Sequence, residues 1–451
     1  MYKVAIMQRK RIAVIGGGIS GLSAAWLLSR RHEVVLYERN TYIGGHSNTV
    51  EVETASGPVA IDTGFVVYNE RNYPHLTRLF RTLGVATQPT DMSFSASIDD
   101  GRVEYAGDNL DTLFAQRRNL LSPAFLGMLH DILRFNRDAK RSLATGDATQ
   151  LSLGEYLARG GYGRRLVDHY LLPMAAAIWS CPTATMREFP APSFLRFFHN
   201  HGLIELRNRP QWHTVVGGSR NYVCRLVEAV GDGVKRACGV VSVQRADDGV
   251  WVTGQDGQRA RFDEVVFGSH ADETLALIDA PSAEERRILG AFSYQENRAI
   301  LHCDTALMPR RQKVWSSWNY LANGGRTGTG AVSVTYWMNR LHRLPAGHRP
   351  YLLSLNPLSD PDQRRVITEI SYHHPVFDAS AVQGQKLLPS IQGRDRLWFC
   401  GAYSGYGFHE DGLRSAVNVA AQLGVSPPWQ VVPHHAAVPP YRASESGVVL
   451  P

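Results

Sequence analysis

Lysine is scarce in this chain of 451 residues: only Lys3, Lys10, Lys140, Lys235, Lys313 and Lys386 occur, so the formal charge of +7 is carried mostly by arginine. No run of basic residues is interleaved with aromatics, which argues against a nucleic-acid groove. The charge balance leaves room for an anionic partner such as a phospholipid surface or a carboxylate substrate. Cysteine is equally sparse. Cys181, Cys224, Cys238, Cys303 and Cys400 are scattered, odd in number and never in a C-x-x-C pair. That indicates neither a disulfide framework nor a zinc site, and it fits a reducing cytoplasm. No stretch approaches the roughly twenty consecutive apolar residues of a membrane-spanning helix. The first apolar run is short and follows Lys10-Arg11, so no signal peptide is expected, and Met7 is a candidate start. There is no internal repeat, no Ser-His-Asp arrangement and no metal-ligand spacing. Hydrophobic residues make up 44% and charged residues 20%, an ordinary globular profile over a length that suits two interleaved domains.

What is there begins with Arg11 to Arg39. Ile12-Ala13-Val14-Ile15 reads as a buried parallel strand. Gly16, Gly18 and Gly21 follow in G-x-G-x-x-G spacing, where the glycines make a tight turn, admit a pyrophosphate and let helix pack on strand. The helix from Ser20 would offer its N-terminal N–H groups and dipole to the phosphates. Glu33 to Tyr37 is the next strand. Glu38 stands at its tip, seventeen positions after Gly21, where a carboxylate accepts ribose hydroxyls and repels a 2′-phosphate. A strand, a glycine turn, a helix and an acidic tip together indicate a dinucleotide, without separating NAD from FAD.

The segments after Glu38 make that distinction. A Gly44-Gly45-His46 element precedes a strand pair, Thr49–Thr54 and Pro58–Ile61, and then Asp62-Thr63-Gly64. Helical spacing is expected over 72–81, and again over 109–144 and 152–174 within a mostly helical insertion from about Met92 to Pro210. A second Gly-Gly turn, Gly217-Gly218, leads to a helix over Asn221–Val230. Short strands follow at Gly239–Arg245, Val250–Gly254, Ala260–Arg261 and Glu264–Gly268, separated by Asp-Asp-Gly and Gln-Asp-Gly turns. A second excursion, about Tyr294 to Pro389, carries aromatic strands around Trp318, Tyr336 and Tyr351. Leu397 to Gly401 is a strand ending in glycine, and a glycine-rich turn then opens a helix from Leu413 to about Leu423. Residues 426–451 read as a flexible tail.

This succession resembles the FAD-binding amine oxidase and phytoene desaturase superfamily. The phrases IDTGFVVYNERNYPHL, SSWNY, TYWMN, YHHPVFD and FCGAYSGYGFHEDG place it nearest a bacterial subgroup of predicted NAD/FAD-binding proteins, often encoded near cyclopropane-fatty-acid-synthase-like enzymes. The resemblance implies an α/β fold: a discontinuous Rossmann-like FAD-binding domain (1–91, 211–293 and 390–425) with an inserted α+β substrate or lid domain (92–210 and 294–389). It implies non-covalent FAD held by Gly16, Gly18, Ile19, Ser20, Gly21, Glu38, Arg39, Gly44, Gly45, His46, Thr63 and Gly64. Farther along the chain it adds Val240 near the adenine and Gly401, Asp411, Gly412 and Leu413 near the flavin. Three departures stand out: His46 replaces the arginine common after the Gly-Gly pair, Ala402 replaces a common acidic residue, and no lysine is evident for the flavin N5 position.

Hydride transfer to a flavin asks the protein mainly for positioning. Tyr406 and His409, in the expected flavin turn, are the candidates for catalysis, together with His373; adjacent strand residues face opposite ways, so at most one of His373 and His374 would face the flavin. Trp318, Tyr320, Tyr336 and Trp337 would form either a cage or wall for substrate or ordinary core. Cys400, on the strand before the turn, reads as core and not as a flavin tether. The expected function is an FAD-dependent oxidoreductase acting on an apolar, lipid-like small molecule. A flavin amine oxidase and a non-catalytic FAD-binding subunit are the alternatives. The expected location is the cytoplasm, with peripheral contact to the inner membrane face left open.

Overall fold

The computed structural model describes residues 8–179, 183–205, 209–322 and 332–430. Cys181 and most of the expected tail, from residue 431 on, lie outside the described residues. The organising layer is a five-stranded parallel sheet. Its strands run in the order Val234–Lys235, β2 (Glu33–Tyr37), β1 (Arg11–Ile15), Glu264–Phe267 and Leu397–Phe399. Registers such as Ile12 opposite both Val34 and Glu264 fix the pairing. Central parallel strands are covered on both faces, which is why they read as unbroken apolar runs.

Helix α1 (Ile19–Ser29) shows why its sequence lacks an amphipathic stripe: every residue from Ile19 to Leu28 is buried. It lies between the sheet, the helix Arg220–Val230 and the terminal helix His409–Gln422. A helix apolar all round is a core helix. Trp429, within the expected tail, stacks on Trp26 at 5.9 Å and donates its indole N–H to His75 Nδ1 at 3.2 Å, so the start of that segment packs on the domain.

A seven-stranded mixed sheet forms the second platform. Its order is Val366–Pro375, Tyr294–His302, Leu352–Leu355, Val332–Trp337, Trp318–Ala322, Phe94–Ile98 and Val103–Ala106. The last two strands fall inside the stretch expected to be mostly helical. Asp99 and Asp100 take positive φ (51° and 54°) before Gly101 (81°), a tight reversal that turns one strand back on the other. Helices cover this platform. Pro123–Thr145 is capped by Ser122, whose hydroxyl accepts from Phe125 N, and Leu153–Arg159 by a Ser152/Glu155 capping box. Ala191–Asn200 buries Phe194, Leu195, Phe197 and Phe198 against Trp179 and its neighbours. Among the described residues no helix is long and apolar enough to cross a membrane.

Candidate active site

Between the two platforms lies one large cavity of about 1310 Å³, more than the roughly 300–1,000 Å³ of an ordinary ligand pocket. Its nucleotide end is the glycine turn. Gly16 has φ of +100°, and a Cβ on Gly21 would sit 1.8 Å from Gly16 O, so the third glycine is where helix meets strand. Gly18 differs: a Cβ there would meet no protein atom within 4 Å, because it faces the cavity. Glu38 is buried at the rim. Its carboxylate accepts from Gly17 N and Asn40 N, both at 2.8 Å, which fixes its orientation while leaving lone pairs for hydroxyl donors. Arg39 borders the same end and is paired with Glu273 at 2.8 Å.

The middle of the cavity is rich in histidine. His46 packs against both Tyr372 and His374, with ring centroids at 4.8 and 5.1 Å. Its Nε2 is buried without a protein partner. Burial, then the neighbouring imidazoles, hold His46 well below the ordinary histidine range. Burial likewise pushes His374 down to about 4 and His409 down to about 3, so both rings are neutral at physiological pH. The His409 ring stacks on Phe65 at 3.8 Å, and its Nε2 is hydrogen-bonded to Ser47 Oγ at 2.9 Å and Tyr222 OH at 3.2 Å. Thr63 bonds to Tyr372 OH at 2.8 Å. Asp62, beside it, serves the scaffold: its carboxylate accepts from Ser219 N and Oγ and from Thr49 Oγ1.

The far end is apolar. Trp318 and Tyr336 meet edge to face at 5.1 Å on the sheet, and Phe197, Tyr406 and Phe408 close in from the helical layer and the terminal turn. The hydroxyl of Tyr406 is buried with no partner, and burial pushes its pKa up to about 12. Two carboxylates border this end, Asp91 and Asp108. Both are taken by Arg340, at 3.0 and 2.9 Å. Burial opposes the Asp91 charge, but hydrogen bonds from Ser93 and Ser317, with Arg340, hold its carboxyl below the usual value. Among the described residues no lysine lines the cavity. Lys313 is bound to Asp111 at 2.5 Å.

The structure thus brings Gly16, Gly18, Ile19, Ser20, Glu38, Arg39, Gly45, His46, Thr63, Gly64, Gly401, Tyr406, His409 and His373 to one cavity. Gly21 and Gly44 support its turns from behind. Others stand apart. Val240 starts a strand in the three-stranded sheet Val240–Ala246, Gly249–Gly254 and Arg259–Phe262 and does not reach the cavity wall. The terminal helix begins at His409, four residues before the expected start at Leu413. Gly412 N is therefore already bonded to Phe408 O, and a Cβ on Gly412 would strike Ser20 Oγ at 2.6 Å: it is a helix-packing glycine. Leu413 is fully buried in the core beside α1. Asp411 accepts from Tyr406 N, Phe408 N and Arg414, folding the turn back on itself, and Glu410 caps the helix Pro74–Leu83 through His75 N and Leu76 N. Neither carboxylate is available to replace the acidic residue that Ala402 displaces. Both His373 and His374 border the cavity; His373 is exposed, and the half-buried His374 is the one packed on His46. Of the four aromatics considered as a cage, only Trp318 and Tyr336 face the cavity; Tyr320 is core, and Trp337 packs on Trp315. Cys400 donates its thiol to Phe267 O at 3.3 Å, and burial pushes it up to about 12, which makes it an inert core residue.

An open cradle at Gly18, an oriented acidic tip at Glu38 and a partnerless imidazole nitrogen at His46, all on one long cavity, fit a flavin dinucleotide. Residues 19–364 match the family of flavin-containing amine oxidoreductases, and the chain belongs to that family. Its cofactor is FAD. Among curated proteins it is 26% identical over 204 residues to the carotenoid phi-ring synthase of Chlorobaculum tepidum, a match over 42% of this chain and 30% of that protein. It is 27% identical over 188 residues to the protoporphyrinogen oxidase of Schizosaccharomyces pombe, over 38% of this chain and 36% of that one. The chain thus spans about a third of the length of these relatives. Among solved structures, a fatty acid isomerase from P. acnes that produces CLA superposes with a TM-score of 0.66 at 16% identity, over 92% of this chain and 99% of that chain. That likeness is one of fold.

Proposed function

We propose that the protein is an FAD-dependent oxidoreductase that takes a hydride from a C–H bond of an apolar substrate with the character of a lipid acyl chain. The observation that carries this reading is the far end of the cavity, walled by Trp318, Tyr336 and Phe197, where the two carboxylates found among the described residues, Asp91 and Asp108, are already neutralised by Arg340. A cationic amine would find no unpaired carboxylate among the described residues there, whereas an alkyl chain gains about 25 cal/mol for each Å² it removes from water.

FAD, when bound, supplies the hydride acceptor. Gly18 and the first turn of α1, through Ile19 and Ser20, would hold the pyrophosphate with backbone N–H groups, those of Gly16 and Gly17 being bonded to Tyr37 O and Glu38. Glu38 accepts the ribose hydroxyls. His46, neutral and packed on Tyr372 and His374, would offer its partnerless Nε2 to the cofactor in place of an arginine. Phe197, Phe408 and the helical layer exclude water from the far end, and the unpaired Tyr406 hydroxyl is the polar group that orients substrate there. His409, with its Nε2 occupied by Ser47 and Tyr222, shapes the wall as a neutral ring.

Anaerobic mixing of the FAD-loaded protein with acyl lipids and, separately, with primary amines tests the reading through flavin absorbance near about 450 nm. Bleaching by an acyl lipid and none by amines is expected. Bleaching by amines alone would replace it with an amine oxidase. A flavin that no donor reduces, in a protein tightly bound to a neighbouring enzyme, would make it a partner subunit.

A further inference from the structure

Eight large hydrophobic side chains are exposed among the described residues, and five of them fall within 24 positions: Leu110, Leu120, Leu121, Leu126 and Leu133. Leu121 is 88% exposed and Leu110 74%. They occupy one succession of elements: the short helix Leu110–Leu113, the 3₁₀ turn Arg117–Leu121 and the outer side of the helix Pro123–Thr145. The opposite side of that helix is an ordinary core face, with Phe125 and Met128 packed beneath Tyr105. Solvent-facing leucines on a helix whose inner face is already satisfied contribute nothing to folding. A cluster of them marks an interaction surface.

Two observations identify what covers it. The first is charge. Arg117 and Lys313 share the single carboxylate of Asp111, and Arg118 turns to the carbonyl of Arg102; with Asp108 beside Leu110 paired to Arg340, cations exceed acids around the patch. The second is position. Gly107, Asp108 and Asn109 are exposed and line the cavity, so its mouth opens immediately beside Leu110. We infer that this leucine patch is the surface by which the protein docks on an anionic phospholipid bilayer, with the cavity mouth set at the lipid boundary. Apolar side chains enter the headgroup and acyl region while arginine and lysine meet the phosphates, the pairing used by interfacial helices. The charge and the exposed leucines stand on their own. The link to the mouth rests on the apolar-substrate reading above.

The test measures binding and not turnover, so a failed assignment of substrate leaves it intact. The FAD-loaded full chain is sedimented with phosphatidylglycerol-containing vesicles and with phosphatidylcholine vesicles, at low and at physiological salt. Binding to the anionic vesicles, weakened by salt, is expected, with an L110S/L121S double variant bound about tenfold less and an R117Q/R118Q variant losing its preference for the anionic lipid. V216S/V241S, which changes exposed residues elsewhere, serves as control and should bind as the parent does. Retained flavin absorbance shows that each variant is folded. No binding to anionic vesicles at low salt, or equal binding by L110S/L121S, would overturn the inference. So would a dimer in solution that L110S/L121S dissociates, because the patch would then be covered by a second copy of the chain.

Discussion

Two single-methyl substitutions, three residues apart, should have opposite signatures. In Gly18→Ala the new carbon meets no protein atom within 4 Å, and the backbone there is extended (φ −76°, ψ −177°), a conformation alanine adopts freely. The apoprotein should therefore unfold at the parent's denaturant midpoint or slightly above, since alanine restricts the unfolded chain. The methyl occupies the space where the pyrophosphate must approach. Losing a charge-assisted hydrogen bond and gaining a steric contact costs ~2–4 kcal/mol, so the FAD dissociation constant should rise roughly 30- to 1,000-fold. In Gly21→Ala the methyl lies 1.8 Å from Gly16 O. A carbon–oxygen contact needs about 3.3 Å, so α1 must move away from the sheet by roughly 1.5 Å. Overpacking of that kind costs about 3 kcal/mol or more, and it is seen in the absence of FAD. Urea unfolding of the apoproteins and fluorescence titration with FAD separate the two. The reasoning is refuted if Gly18→Ala binds FAD like the parent, or if Gly21→Ala unfolds at the parent's midpoint.

Histidine protonation should weaken the fold in acid. His374 and His409 are depressed to about 4 and about 3 against 6.5 unfolded, so their contribution is fully present above 6.5 and is lost as pH falls from 6.5 toward the folded values. At pH 5 each should cost about 2 kcal/mol, which a series of urea midpoints between pH 8 and 5 would show, and a flat profile would contradict. Tyr406→Phe removes a buried hydroxyl that has no partner, so thermal stability should hold or rise slightly while turnover falls about tenfold or more; unchanged turnover would remove Tyr406 from the substrate end. Trp318→Ala should raise KM for an acyl substrate about tenfold through lost apolar contact and leave FAD affinity unchanged. Cys400→Ala should leave the flavin as extractable as in the parent, since the thiol is bonded to Phe267 O inside the core.

The nucleotide end was legible because each of its residues is required by backbone geometry that leaves a sequence mark. Glycine where helix meets strand, an apolar strand buried on both faces and an acidic tip can be read in order. The terminal helix was misplaced for an instructive reason. Its N-cap is Phe408, which announces no boundary, but Glu410 and Asp411 in its first turn carried the helix-start signal. Reading Asp411 as a cofactor ligand concealed it. The hairpin at 94–106 was hidden in the same way within a helical stretch, although its Asp99-Asp100-Gly101 turn repeats the Asp247-Asp248-Gly249 that did mark the hairpin at 240–254. The middle of the site was not legible. His46 precedes His374 and His409 by more than three hundred residues, and only the packed fold puts their rings together.

The most direct measurement is the visible spectrum of the purified protein, repeated on the supernatant after denaturation and removal of precipitate. The account predicts flavin bands near about 375 and 450 nm that pass entirely into the supernatant as FAD, one per chain. A yellow pellet would contradict it by revealing a covalent link that the buried Cys400 cannot make. A colourless protein that also fails to take up added FAD would show that the cradle at Gly18 and the tip at Glu38 do not hold the cofactor assigned to them.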